Sequence, residues 1–111
     1  MRGDLERLLD IQEAINKIEK HFNKDSFIRD EILQAAIVRY LEIIGEASRG
    51  LTEETKNQSP ETEWSRIVSF RNFVVHNYFD IDGDIVCKVI EEDIPKLKVQ
   101  IEKILENYRT N

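Results

Sequence analysis

The sequence predicts an all-α protein, an up-and-down antiparallel bundle of four main helices with one short extra helix. Three observations predict it. Apolar residues recur at three- and four-residue steps along most of the chain, the period of a helix buried on one side. Only two Pro and four Gly interrupt 111 residues, and runs of β-branched residues that would favour strands are few. The connections between periodic stretches are short, which makes consecutive helices antiparallel neighbours. A chain of this length has room for one core, so residues 1–111 read as a single domain.

The first helix is expected over residues 4–22, with Leu5, Leu8, Ile11, Ile15, Ile18 and Phe22 on one stripe. Asn23-Lys24-Asp25-Ser26 reads as a turn in which Asp25 or Ser26 caps the next helix. That second helix is expected to run unbroken from Phe27 to Lys56, about 45 Å at the usual rise per residue. Its apolar positions, from Ile28, Ile32 and Ala35 to Ile44 and Leu51, cover more than one face, so it should be the spine of the bundle. Gly45 within it costs about 1 kcal/mol relative to Ala and is read as a site of close packing. Gly50 bends or ends the helix.

Asn57-Gln58-Ser59-Pro60 is a break, since Pro has no place in a helix interior. A third helix then starts at Glu61-Thr62-Glu63-Trp64, with acidic side chains at its positive end, and continues to Phe79. Asp82 is placed to cap a short helix through Val89 and Ile90. Glu91-Glu92-Asp93 is the next junction, and Pro95 suits the first turn of a final helix. Ile94, Leu97, Ile101, Ile104, Leu105 and Tyr108 form its stripe, and residues 109–111 are expected to fray.

Composition narrows the function classes. A net charge of −6 does not suit a protein that grips phosphate backbones over a broad surface, which requires a basic stripe. Nucleic acid would have to be held locally, with Arg71 the first candidate. One cysteine, Cys87, allows no internal disulfide and reads as a small core residue. No leader and no membrane-length apolar run is visible, and the expected address is the cytoplasm. His21, His76 and Cys87 fall at no metal-ligand spacing. Asp80, Asp82 and Asp84 lack the glutamate that would close a calcium loop. No glycine-rich phosphate loop is present, so neither a metal nor another cofactor is expected. Tyr40 and Trp64 are read as core or interface aromatics.

One stretch stands apart. Ser69-Phe70-Arg71-Asn72-Phe73-Val74-Val75-His76-Asn77-Tyr78-Phe79 is mostly apolar, yet it carries Arg71, Asn72, His76 and Tyr78. Polar groups in such a segment cost free energy unless they are paired or used. On an ideal α-helix Arg71 and Tyr78 share a face, and Asn72 and His76 form an i, i+4 pair. Arg71 and His76, five apart, diverge. Two copies of the segment facing each other would assemble one polar cluster from both chains. The plain alternatives are a satisfied histidine at a helix end, an Arg71 paired with an acid such as Glu46, and a Tyr78 with a wet hydroxyl.

The spacing Arg71-x4-His76-x-Tyr78 resembles the motif of the HepT toxins, within the HEPN superfamily of ribonucleases. Ile44-Gly45-Glu46-Ala47, Pro60-x3-Trp64 and Asp82-x-Asp84-Ile85-Val86 are similar to the family as well, so the resemblance spans nearly the whole chain. It implies a HEPN-like bundle acting as a homodimer, and metal-independent RNA cleavage that leaves 2′,3′-cyclic phosphate ends. In that chemistry His76 transfers a proton and Arg71 holds the phosphate. Asn72 orients His76 or binds the phosphate. The resemblance also implies a minimal nucleotidyltransferase antitoxin that attaches AMP to Tyr78 and so silences the site. A rival from another class is a non-catalytic helical module that docks a nucleotidyltransferase.

Overall fold

The computed structural model describes residues 3–74 and 83–110, and every described element is helical. The long helices are α1 (Asp4–His21), α3 (Glu31–Gly50) and α7 (Ile94–Thr110). Single-turn helices α2 (Lys24–Phe27) and α4 (Glu53–Lys56) flank α3. Helix α5 (Trp64–Val68) tightens into a 3-10 segment, Ser69–Val74. Helix α6 (Gly83–Lys88) leads through a π turn, Val89–Asp93, into α7. The all-α bundle expected from the sequence is therefore what forms, in an envelope of 45 × 25 × 25 Å. No described helix is long and apolar enough to cross a membrane.

Helix α3 packs against α1 on one side and against α5 and the 3-10 segment on another, while α7 packs on α1. It is the spine, as its several apolar faces predicted. One core runs through all of these, with Leu8, Ile11, Ile37, Leu41, Ile44, Phe70, Leu97 and Ile101 almost fully buried. The Glu19–Lys98 contact at 2.8 Å ties α1 to α7.

The expected 27–56 helix is three pieces. Asn23 caps α2 by accepting from the Ser26 N–H at 3.1 Å. Asp30 then adopts an extended conformation, and its Oδ1 accepts from the N–H groups of Ile32 and Leu33. Short polar side chains that bond the nearby backbone compete with helix continuation, and here they stop it. The caps are thus Asn23 and Asp30 rather than Asp25 or Ser26. Ile28 and Ile32 fall on the outside as a result, Ile32 being 83% exposed, and Ala35 is exposed too. At the other end Gly50 is the last residue of α3, and Leu51 and Thr52 are extended. Thr52 caps α4, accepting from the Thr55 N–H at 3.3 Å.

The final helix also differs from expectation. Glu91-Glu92-Asp93 is not a junction; the backbone passes through the π turn without a break, and Ile94 N–H reaches back to Val89 O. Pro95 supplies the reason. Its ring crowds the carbonyl four residues earlier, and widening the preceding turn relieves that contact. Leu5 and Tyr108, expected on the buried stripes, are both partly open to water; Tyr108 lines an open cleft at this end of the bundle. The expected cap Asp82 and the terminal Asn111 lie outside the described residues.

Candidate active site

The 57–63 connection sets where the motif segment begins. The buried hydroxyls of Ser59 and Thr62 are 2.6 Å apart. Half-buried Trp64 packs on the core, and its indole N–H points at the carbonyls of Lys56 and Ser59, 3.2 and 3.3 Å away. Trp64 is thus both a core aromatic and the pin that starts α5, one turn later than expected. Arg66 donates from Nε to Asp93 at 2.8 Å, which ties α5 to the π turn. That pair holds the Arg66 guanidinium above its ordinary value, by the hydrogen bond and charge of Asp93.

The α-helix expected through residue 79 tightens at Ser69, whose Oγ donates to the Arg66 carbonyl at 2.5 Å. A side chain that bonds the preceding turn favours such a change. In a 3-10 helix each residue advances by about 120°. Arg71 and Asn72 stand on this 3-10 segment, while the residues with which they were expected to share a helix face lie outside the described residues. Phe70 anchors the segment in the core, Arg71 sits at the edge, and Asn72 is exposed. His76 and Tyr78 lie outside the described residues, so Arg71 and Asn72 are the motif positions whose surroundings the structure describes.

Gly45 seats this segment. A Cβ at position 45 would stand 2.8 Å from Arg71 N and 2.9 Å from Val68 O, which are backbone atoms that cannot swing aside. Only glycine lets α3 approach so closely, which is the packing role expected for it. The next residue, Glu46, accepts from Arg71 Nη1 at 3.1 Å. The acid named from sequence as a partner for Arg71 is its partner. The two residues together fix Arg71 twice, Gly45 at its backbone and Glu46 at its guanidinium.

Glu46 also lines a groove of about 240 Å³ between α1 and α3, together with Arg7, Asp10 and Arg39. A larger cleft of about 570 Å³ lies elsewhere, walled by Asp4, Thr52, Gln58, Asn107 and Tyr108. Sequence reasoning missed its central network. Asp4 accepts from the Thr52 N–H at 3.2 Å and from the hydroxyls of Thr52 and Thr55. Burial alone would raise its pKa, but those hydrogen bonds and nearby Arg7 outweigh it and hold the carboxyl below the usual Asp range. The Thr52-x-x-Thr55 spacing at the start of α4 was the one available signal.

Other candidates take plain roles. Cys87 is buried, which pushes its thiol up and away from reactivity. Tyr40 is half-buried against the core with Lys17 Nζ 6.0 Å from its ring centre. His21 is exposed at the end of α1. Among the described residues, no three His, Cys, Asp or Glu side chains are grouped to hold a metal ion.

The comparisons with known proteins agree with one another. Residues 11–104 match the family described as "Ribonuclease HepT-like". A Thermococcus cleftensis protein named "Probable ribonuclease HepT" is 38% identical over 106 residues, covering 93% of this chain and 96% of that one. A Methanocaldococcus jannaschii protein named "Putative RNase MJ1380" is 37% identical over 98 residues, covering 86% and 90%. No solved structure matches the chain significantly. The segment that Gly45 seats thus opens the Arg-x4-His-x-Tyr motif of a sequence matched almost end to end, and the chain belongs to the HepT-like ribonuclease family.

Proposed function

We propose that the protein is a metal-independent endoribonuclease of the toxin type, with Arg71, Asn72 and His76 as its working residues. The observation that carries the reading is the double fixing of Arg71. A cation held by its backbone against Gly45 and by its head against Glu46 is preorganised for an anion, and preorganised charge is the form of stabilisation that lowers barriers. In the reaction the ribose 2′-oxygen attacks the adjacent phosphorus and its proton passes to a base. The bond to the 5′-oxygen breaks, and that oxygen takes a proton. His76 serves one or both transfers, and Arg71 neutralises the phosphoryl oxygens. The products are a 2′,3′-cyclic phosphate and a 5′-hydroxyl.

Two chains facing each other would bring an Arg71 and a His76 from each into one cleft, so the working form is a homodimer. A minimal nucleotidyltransferase antitoxin would attach AMP to Tyr78. The added phosphate would compete for Arg71 and close the site. A net charge of −6 favours a second reading, a docking module for the nucleotidyltransferase without catalysis. The two separate in an RNA-cleavage assay run in EDTA. Unmodified wild type should cleave and leave cyclic phosphate ends, with Arg71→Ala and His76→Ala each slower by at least about 100-fold. Mass spectrometry of Tyr78 establishes that the protein assayed is unmodified. Folded, unmodified protein that leaves RNA intact would reject the nuclease and favour the docking module.

A further inference from the structure

Two features of the structure meet at Glu46. Its Oε1 accepts from Arg71 Nη1, and its side chain lines the α1–α3 groove that also carries Arg7 and Arg39. The ion pair is open to water, with Arg71 35% and Glu46 54% exposed. Exposed pairs contribute little to stability; buried Phe70 and the close approach at Gly45 are what dock the segment on α3. The pair therefore matters for the state of the guanidinium rather than for the fold.

A carboxylate and a phosphodiester make the same demand on an arginine, since each presents anionic oxygens to its N–H fork. A phosphate arriving at Arg71 must share the fork with Glu46 or replace it. Sharing places two anions side by side, which is unfavourable. Replacement leaves the carboxylate in a groove lined by Arg7, Asp10 and Arg39; Arg39 already pairs with Glu42, so Arg7 is the cation that can take it up.

We propose that Glu46 is a positioning residue that holds the Arg71 guanidinium ready while the site is empty and is displaced from it by a phosphodiester of the RNA. The inference rests on the ribonuclease reading for its substrate. Glu46 then has two separable effects. As a hydrogen-bond acceptor it orients Arg71, and as a charge it competes with the substrate. Glu46→Gln keeps the acceptor and drops the charge, while Glu46→Ala removes both.

The test uses a labelled single-stranded RNA in EDTA, with binding measured by fluorescence anisotropy across a salt series and cleavage by steady-state kinetics. The proteins are wild type, E46Q, E46A, R71A and the E46Q/R71A double variant, each checked for an unchanged Tm. E46Q should bind about 1.5- to 5-fold tighter, the range set by one exposed charge pair. Its log–log salt slope should steepen by about 0.7, the increment for one single-strand phosphate contact. Its KM should fall by the same factor while kcat stays within about twofold. E46A should lose about 10-fold in kcat. The gain of E46Q should vanish in the double variant.

E46Q binding no tighter than wild type overturns the proposal, and so does a gain that persists without Arg71. Wild type that cleaves with an E46Q curve identical to its own rejects the Glu46 role and leaves the nuclease standing. A Glu46-dependent gain in binding without cleavage rejects the nuclease and retains the exchange at Arg71. Unmodified wild type that neither binds nor cleaves overturns both.

Discussion

Gly45 and Gly50 lie in the same helix, five residues apart, and they are glycine for different reasons. The space a side chain would need at 45 is filled by the backbone of Val68 and Arg71. At 50 it is filled by the guanidinium end of Arg7, with Nε 2.4 Å from the ideal Cβ position, and a long side chain can move. Around Gly45, two stretches of main chain are pressed together. Around Gly50, the helix ends and side chains do the fastening, with Asp4 reaching from α1 to Thr52 and Thr55. The first region fixes the position of Arg71, the residue proposed to hold the phosphate. The second only closes the end of the bundle.

Substitutions can break that contrast. Gly45→Ala should show the largest effect, a loss of about 1–3 kcal/mol from overpacking after the helix-propensity gain of about 1 kcal/mol. Denaturant melts would read the loss, and RNA cleavage should fall with it because Arg71 is displaced. An unchanged midpoint together with unchanged cleavage would show that Gly45 does not seat the segment.

Asp4→Ala tests the other region and should cost about 1–2 kcal/mol, the value of a capping acceptor, with cleavage per folded molecule unaltered. The cost should depend on pH. The folded Asp4 is more acidic than its unfolded reference of 3.8, so its contribution is complete above that value. It is lost as pH falls through the lower folded value. The gap between the two proteins should therefore be flat near neutrality and close in acid; a gap that widens in acid would reverse the assigned sign.

Ser48 lies between the two glycines, and among the described residues its buried hydroxyl has no hydrogen-bond partner. Ser48→Ala should raise stability by about 0.5–1 kcal/mol, since an unsatisfied buried polar group is removed and helix propensity improves. A loss on thermal melting would show that the hydroxyl is satisfied after all. Gly50→Ala should have the smallest effect, within about 0.5 kcal/mol of wild type, as Arg7 moves aside. A loss as large as that of Gly45→Ala would erase the distinction between the two glycines.

The parts of the fold that were legible in the sequence rest on periodicity and cost. The stripes of α1 and α7 were readable because a helical period repeats several times in each. Gly45 was readable because glycine inside a helix is unfavourable and needs a reason, and Glu46 because Arg71 needs a counter-charge. The breaks at 28–30 and 51–52 were hidden because the apolar period continues across them. The helix is stopped there by a pair of side-chain bonds from Asp30 and by the extended Leu51–Thr52 pair. The 3-10 turn at Arg71 was equally hidden. It depends on the hydroxyl of Ser69 and the burial of Phe70, which no spacing rule reports.

The π turn ahead of Pro95 bears on length rather than on composition. A π turn holds about one residue more than an α turn, so it acts as a phase shift between the two halves of a continuous rod. Removing one residue from Val89–Asp93 would rotate everything upstream of it by about 100°. The shift would carry Val86 and Cys87 off the core and break the register between Asp93 and Arg66. Glu91 and Glu92 are exposed and can change identity freely. Their number cannot change, so this part of the chain should accept substitutions while resisting insertions and deletions.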